Sequence, residues 1–371
     1  MNKLYFFILL FIISCFTLSA QTNFDKGDLL VYAVNSNVNS FCITNYSNST
    51  EFVDEVFLVT FKDILPNTII YITDNGWQRK LNNFFGTTEG VLKLTKKIDS
   101  TIEKGEVFSI KIPAGLTNSN LNSLNPLWNC EKVTNGIFNI ASIDQFFIFN
   151  NGNWSMDMNE DHKGIFTNTT LVTAYNNQLN WDNYLDLGVS ETRNSGLPGD
   201  EVDDNYDITN FHLTTNLQSA YSYYDGSKSI TSKNEWILRF LNPNYWISTP
   251  SCSTFQNNIV YQKFTIDEES KSFKICKNTP INLAVDNNTI VTYQWFSTSV
   301  PAATNGNAIA GATSTTYSPD TSVSGTIYYY CDLSYTLKWK NSNISKSKTA
   351  VLKSLLYKVE VVENKLTPIE Y

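Results

Sequence analysis

Carboxylates are the side chains of this sequence whose crowding rises above background for chemistry. Asp200, Glu201, Asp203 and Asp204, with Asp207 just beyond, fill one loop after the turn-forming run Gly196-Leu197-Pro198-Gly199. A smaller group holds Asp157, Glu160 and Asp161. Oxygen-rich loops of this kind can hold Ca²⁺, which takes about six to eight oxygen ligands. The EF-hand order D-x-[DN]-x-[DN]-G is absent. Glycoside hydrolysis would need two carboxyls facing each other across a cleft ~5–10 Å wide, and nothing in the spacing puts two of them there. A solvated acidic loop is the plainer reading of both groups. Asp200, Glu201, Asp203 and Asp204 are kept as a weak Ca²⁺ candidate, and acid/base hydrolysis by the same loops as the enzymatic alternative.

Other reactive patterns are sparse. The two histidines, His162 and His212, stand fifty residues apart, and neither belongs to a metal-spaced pair such as H-x-x-x-H. Residue order alone permits a Ser–His–Asp triad, but no G-x-S-x-G elbow is present. Ser345-Lys346-Ser347-Lys348 fits S-x-x-K formally; it reads as a coincidence within a polar loop between strands. No glycine-rich phosphate cradle occurs. Trp77, Trp128, Trp154, Trp181 and Tyr221-Ser222-Tyr223-Tyr224 fall in or near expected loops, where aromatic rings either stack sugars or cap a core. No catalytic residue, cofactor or metal is assigned on this basis.

The elements that would position such groups are β-strands. The chain has 371 residues, enough for two domains with a core each. Aromatics make up 14%, with 20 Tyr and 23 Phe against 3 Met, and together with many Thr, Val and Ile this favours strands. The net charge of −8 and the lack of a visible basic patch interleaved with aromatics argue against nucleic acid, whose binding depends on clustered Lys and Arg.

Residues 1–20 read as a secretory signal: Lys3, an apolar core from Leu4 to Phe16, and small residues at Leu18-Ser19-Ala20 before a cut at Gln21. Ile13-Ser14-Cys15 weakly resembles a lipoprotein box. The apolar run is shorter than the ~20 residues a membrane span needs, and no later stretch approaches that length. Export would leave Cys42, Cys130, Cys252, Cys276 and Cys331, an odd set in an oxidising compartment.

Residues 24–255 read as one large β-rich domain. Strand candidates are Leu29–Val34, Glu55–Phe61, Thr68–Thr73, Gly90–Thr95, Glu106–Ile112, Gln145–Phe149 and Leu171–Tyr175, each bounded by Gly, Pro, Asn or Asp. Asn151-Gly152 predicts a tight hairpin turn with Trp154 opening the return strand. Asp74-Asn75-Gly76 predicts another turn, in which Asp74 can hold an Asx-turn. Ser232-x-x-Glu235 is a capping box, and Trp236, Ile237, Phe240 and Leu241 follow at helical spacing until Asn242-Pro243 stops them. This helix is expected to close the domain edge. Leu121–Trp128 is a weaker helical candidate. Residues 256–271 link the domains and add a strand candidate at Ile259–Phe264.

From Val291 to Trp295 large apolar residues alternate with polar ones, the mark of a strand with one buried face. Gly306, Gly311, Pro319 and Gly325 then break the chain at turn-like intervals. Ile327, Tyr329, Cys331 and Leu333 share a face of a second strand, and Tyr329 stands where a tyrosine corner would close on backbone. The string QWFSTS…GNAIAGATSTTYSPDTSVSGTIYYYC resembles the immunoglobulin-like modules of large secreted and surface proteins of bacteria, over residues 272–353. The resemblance implies an extracellular, non-catalytic spacer or adhesion module. It departs from antibody-type domains at strand B, where Leu283 takes the cysteine's place and Cys276 comes earlier. A Cys276–Cys331 bridge is therefore allowed but not dictated. A second resemblance runs through GDLLVYAVNS, DEVFLVTFKDILPNTIIYITDNGW, TTEGVLKLT, KGEVFSIKI and EWILRFLNPNYW. It covers most of residues 27–247 and looks like an N-terminal module of secreted multi-domain bacterial proteins, with no known reaction. Residues 354–371 read as a tail.

The expectation is an exported all-β protein: an N-terminal β-sandwich with one or two short helices, then an immunoglobulin-like β-sandwich. Its expected role is structural or adhesive, secreted or at the cell surface, towards an extracellular protein or glycan. The alternatives are a carbohydrate-binding module, with or without Ca²⁺, and a hydrolase.

Overall fold

The computed structural model describes residues 21–36, 53–78, 84–113, 117–140, 144–157, 163–177, 212–214, 221–259, 261, 263–267, 270–341 and 344–363. The leader expected at residues 1–20 lies outside them. The described chain is all-β with three short α-helices: α1 (Asn118–Leu124), α2 (Lys233–Leu241) and α3 (Cys252–Asn258).

Three sheets build the N-terminal body. A five-stranded antiparallel sheet runs Trp246–Thr249, Tyr221–Tyr224, Leu29–Asn35, Val53–Thr60, Val107–Pro113. A six-stranded sheet runs His212–Thr214, Thr170–Asn176, Gln145–Asn150, Ile69–Thr73, Val91–Lys96, Trp128–Lys132. These two pack face to face, with Leu29–Asn35 against Thr170–Asn176. Every residue of Leu29–Asn35 is buried, so its outer face is covered as well. The helices supply that cover: Phe57 and Tyr221 meet Phe255 of α3 at 6.0 and 5.3 Å, and Phe264, which touches Trp236 of α2, meets Tyr32 at 5.6 Å. The predicted capping box is present, with Ser232 and Glu235 each satisfying the other's backbone N–H. The helix it starts lies over the central strand of the five-stranded sheet and also against His212–Thr214, the edge strand of the six-stranded one. Burial on both sides is why these strands read as continuous apolar runs rather than alternating ones.

Several expectations change. Asn151 and Gly152 take φ of 61° and 71°, the signature of the tight turn that was expected. Yet the strands it joins separate: Gln145–Asn150 stays in the six-stranded sheet, while Asn153–Asp157 pairs with Lys163–Thr167 in a small four-stranded sheet. A Cβ on Gly152 would stand 2.3 Å from the Thr167 carbonyl oxygen, so close approach as well as positive φ selects glycine here. Residues 118–124, at the start of the weaker helical candidate, form α1 behind a Thr117–Asn120 capping pair. The strand expected at Ile259–Phe264 is absent among the described residues; α3 ends at Asn258, and the Phe264 N–H donates to the Gly105 carbonyl at 2.7 Å.

The C-terminal body has two sheets, one ordered Ser270–Cys276, Leu356–Val362, Gly325–Asn341, Val291–Thr298, Asn307–Ala308, the other pairing Leu283–Ala284 with Thr316–Tyr317. The arrangement is consistent with an immunoglobulin-like sandwich. Trp295 is fully buried between the sheets, its indole N–H donating to the Ser314 carbonyl at 2.8 Å and its ring beside Tyr317 and Tyr357. Leu283 is buried where strand B cysteine would stand. The tail expected from residue 354 is a correction: Leu356–Val362 is an inner strand, parallel to Ser270–Cys276 and antiparallel to Gly325–Asn341. Tyr329 is buried against Tyr317 without a corner bond, and Tyr357 ties the sheets instead through its hydroxyl on the Ala284 carbonyl at 2.6 Å. Ile327 lies at the strand's start, half exposed. Ser345–Lys348, read as loop, belongs to strand Ile344–Lys353.

The Cys276–Cys331 bridge does not form; both thiols are free. Register explains it. Cys276 pairs with Val362, and Val361 pairs with Gly325. Cys276 therefore sits level with the start of a strand on which Cys331 comes about 20 Å further along, far beyond the ~7 Å Cα separation a disulfide tolerates. Cys252 is disulfide-bonded. Cys130 is free and buried; Cys15 and Cys42 lie outside the described residues.

Candidate functional site

The acidic loop carrying Asp200, Glu201, Asp203 and Asp204 lies outside the described residues, as do Glu160, Asp161, His162 and Trp181. Asp157 is exposed at the end of its strand. Among the described residues no group of three or more His, Cys, Asp or Glu could hold a metal ion. The candidate sugar platforms are core: Trp128, Tyr221, Tyr223 and Tyr224 are buried. Trp77 and Trp154 flank Phe85 at 4.8 and 6.3 Å.

The structure gathers a carboxylate group that the sequence does not advertise. Asp74, at the turn after strand Ile69–Thr73, has no exposed surface and reaches across two other segments. Its carboxylate accepts the Gly90 N–H at 2.9 Å and the Asn139 N–H at 2.7 Å. Asn75 beside it accepts the Glu89 N–H at 3.0 Å and donates to the Gly90 carbonyl at 3.1 Å. Asp74 thus staples distant segments instead of holding a local Asx-turn. The approach is tight: a Cβ on Gly90 would meet that of Phe138 at 2.5 Å. Burial, then the charges of Glu89 and Asp144, hold the Asp74 carboxyl well above the usual carboxylate range. Burial pushes Glu89 up to about 8, and its Oε2 has no hydrogen-bond partner. The two backbone N–H bonds favour charge on Asp74 but do not offset its burial, so both carboxyls are held towards the protonated form. At 6% exposure, Glu89 is sealed from solvent, and its proton serves the fold.

The second site lies where the two bodies meet, on α2. Arg239 is buried at 3% exposure and its guanidinium is used on every side. It is forked onto the Asp286 carboxylate, with Nη2 to Oδ1 at 2.8 Å and Nε to Oδ2. It also donates to the Ser229 carbonyl at 2.6 Å and lies 4.5 Å from the Trp236 ring centroid. Glu235, one turn earlier and also buried, accepts the Asp286 N–H at 2.8 Å, the Thr231 hydroxyl at 2.8 Å and the Ser232 hydroxyl at 2.7 Å. Asn242 donates to the Asn288 side-chain oxygen at 2.8 Å, and Asn288 donates back to the Leu238 carbonyl at 2.8 Å. The 286–290 loop of the C-terminal body is therefore clamped along one helix of the N-terminal body. The capping box and the apolar spacing of α2 were readable; the outward use of Glu235 and Arg239 was not, because nothing local marks Asp286 as their partner.

Beside the joint opens a cleft of about 910 Å³. Its floor is Asp28, fully buried, paired with Lys62 at 2.8 Å and with Lys233. Asp25 pairs with the same Lys62 at 2.7 Å. Hydrogen bonding to Lys62 lowers Asp25; burial pulls Lys62 down, but its bonds to Asp25 and Asp28 outweigh that and leave it raised. Lys353 on the far wall pairs with Asp332 at 2.5 Å. These charges are matched to one another, so the cleft presents a polar lining of paired charges.

No protein-family model matches this chain, and no curated protein matches it. No helix among the described residues is long and apolar enough to cross a membrane.

Proposed function

We propose that this protein is an exported structural or adhesive module of the cell surface or extracellular space, without catalytic activity. The observation that carries the reading is the joint on α2. The cores of the two bodies form one contiguous cluster, and the Arg239–Asp286 fork with the Asn242–Asn288 exchange fixes their relative pose. A spacer that presents a surface needs such rigidity, whereas an enzyme closing on substrate needs a hinge. The disulfide at Cys252 supports life in an oxidising compartment, in agreement with the leader-like residues 1–20. The resemblance of residues 272–353 to bacterial immunoglobulin-like surface modules points the same way, towards an extracellular protein or glycan partner. Fractionation of producing cells, with cell-binding and glycan-array assays on the mature chain, tests the proposal. Recovery in the cytoplasm would overturn export, and silence in both binding assays would remove adhesion.

A further inference from the structure

A sheet edge is a row of unpaired N–H and C=O groups, ready to take another strand. In the N-terminal body two such edges are closed by side-chain amides. On the edge strand Val107–Pro113, Asn125 accepts the Lys111 N–H at 2.9 Å and donates to the Lys111 carbonyl at 2.8 Å. On the edge strand Trp128–Lys132, Asn122 of α1 accepts the Cys130 N–H at 2.8 Å and donates to the Cys130 carbonyl at 2.7 Å. Asn118, at the start of the same helix, accepts the Lys132 N–H at 2.8 Å. Each amide stands in for one residue of a further strand.

The edge strand Ser270–Cys276 of the C-terminal body has no such cover among the described residues. It ladders with Leu356–Val362 alone, and Ser270, Lys271, Ser272, Lys274 and Cys276 are exposed. The Lys277 N–H donates to the Val362 carbonyl at 2.9 Å. In a parallel ladder alternate residues turn both backbone groups to the same neighbour. Phe273 and Ile275 therefore face Leu356–Val362, and Ser272 and Lys274 turn their N–H and C=O outwards. Lysines commonly guard an edge by repulsion. Here each is matched within its own chain: Lys271 to Asp267 at 2.6 Å, Lys274 to Glu360 at 2.7 Å and Lys277 to Glu363 at 3.3 Å. The edge is open and electrically balanced.

We propose that this edge pairs with the same edge of a second copy of the chain, antiparallel, about a two-fold axis at Phe273. Symmetry fixes the register. With the whole strand overlapped, Ser272 stands opposite the partner's Lys274, and Lys274 opposite the partner's Ser272. Outward groups then meet outward groups, and these two pairs exchange all their N–H···O=C bonds. Lys271 falls opposite the partner's Ile275, so no lysine stands directly opposite another, the arrangement in which like charges destabilise a pair. The edge selects by backbone alone, and a copy brings the same exposure, register and charge balance with it; this favours a copy over a foreign peptide. Such a contact uses one patch on both chains, so it closes at two. The inference goes beyond the surface reading given above and does not rest on it, since association is measured on purified protein.

The test is sedimentation equilibrium of the mature chain over a wide range of concentration. The expected result is a mass that rises from one chain to two and stops there. S272P removes an outward N–H and leaves the inner ladder whole, as proline on an edge strand can. It should hold the protein at one chain throughout, with its melting temperature by circular dichroism unchanged. S272K is a second variant that leaves the backbone alone. It sets a lysine opposite the partner's Lys274 and should weaken the dimer, with added salt restoring it as the charges are screened. The strand Ile344–Lys353 also has one ladder partner, and the Ser354 N–H donates to the Cys331 carbonyl at 2.9 Å, which turns the Val351 N–H away from that ladder. V351P should therefore leave the dimer intact. A single chain at every concentration would overturn the proposal. So would an undiminished dimer in folded S272P and S272K, and so would loss of the dimer in V351P but not in S272P, which moves the contact to the other edge.

Discussion

Glu89 offers the sharpest check on the buried carboxylate pair. Its carboxyl ionises near pH 4.5 in the unfolded chain and near 8 in the fold, because burial penalises the charged form. The sign follows from linkage. Below pH 4.5 both states hold the proton and the group costs nothing. Between the two values the unfolded chain releases its proton and the fold does not, so stability falls as pH rises. Above 8 both are ionised and the loss is complete. At about 1.4 kcal/mol per pH unit, the penalty is under about 1 kcal/mol at pH 5, about 3 at pH 7 and close to 5 at pH 9. Glu89→Gln keeps the shape and cannot ionise. The unpartnered position of Oε2 is equally awkward for the amide at every pH, so the signature is the slope. Denaturant unfolding of wild type and variant from pH 5 to 9 should show curves that diverge steadily, the variant becoming the more stable by several kcal/mol at the alkaline end. Parallel curves would mean that Glu89 is ionised and solvated in the fold, and the account of the Asp74–Glu89 pair would fail.

Four further outcomes follow from the packing. Arg239→Met strands Asp286 and the Ser229 carbonyl at the joint; loss of about 3 kcal/mol is expected, with limited proteolysis newly cutting between residues 256 and 271. Trp295→Ala should cost about 3–5 kcal/mol from cavity formation, read as a lowered melting temperature of the mature chain. Asp74→Asn can keep one of the two backbone N–H bonds, to Gly90 or Asn139, and should cost about 1–3 kcal/mol in chemical denaturation. Thiol labelling of the native protein should find Cys276, which is exposed, and spare Cys130 and Cys331, whose thiols burial pushes up to about 12. Cys276→Ser should abolish the fast phase, and labelling of Cys331 before unfolding would contradict its full burial.

The strands at Leu29–Asn35, Val53–Thr60, Val107–Pro113 and Gln145–Asn150 were legible because their own residues settle the matter: β-branched and aromatic side chains between turn formers. Helix α2 was legible for the same reason, since a capping box and its apolar spacing lie within ten residues. What escaped notice depends on partners far along the chain. Asp74 looked like a turn residue, and only the arrival of Gly90 and Asn139 makes it a buried staple. Asn151-Gly152 dictated its own turn but not the sheets its two strands would join. Leu356–Val362 looked like a tail because its burial is supplied by Ser270–Cys276 and Gly325–Asn341, from either side. The candidate sites of this protein are all of this second kind. A local motif search finds chemistry that sits on one element, such as a nucleophile elbow or a metal-spaced histidine pair. Sites assembled by register leave no such trace in one dimension.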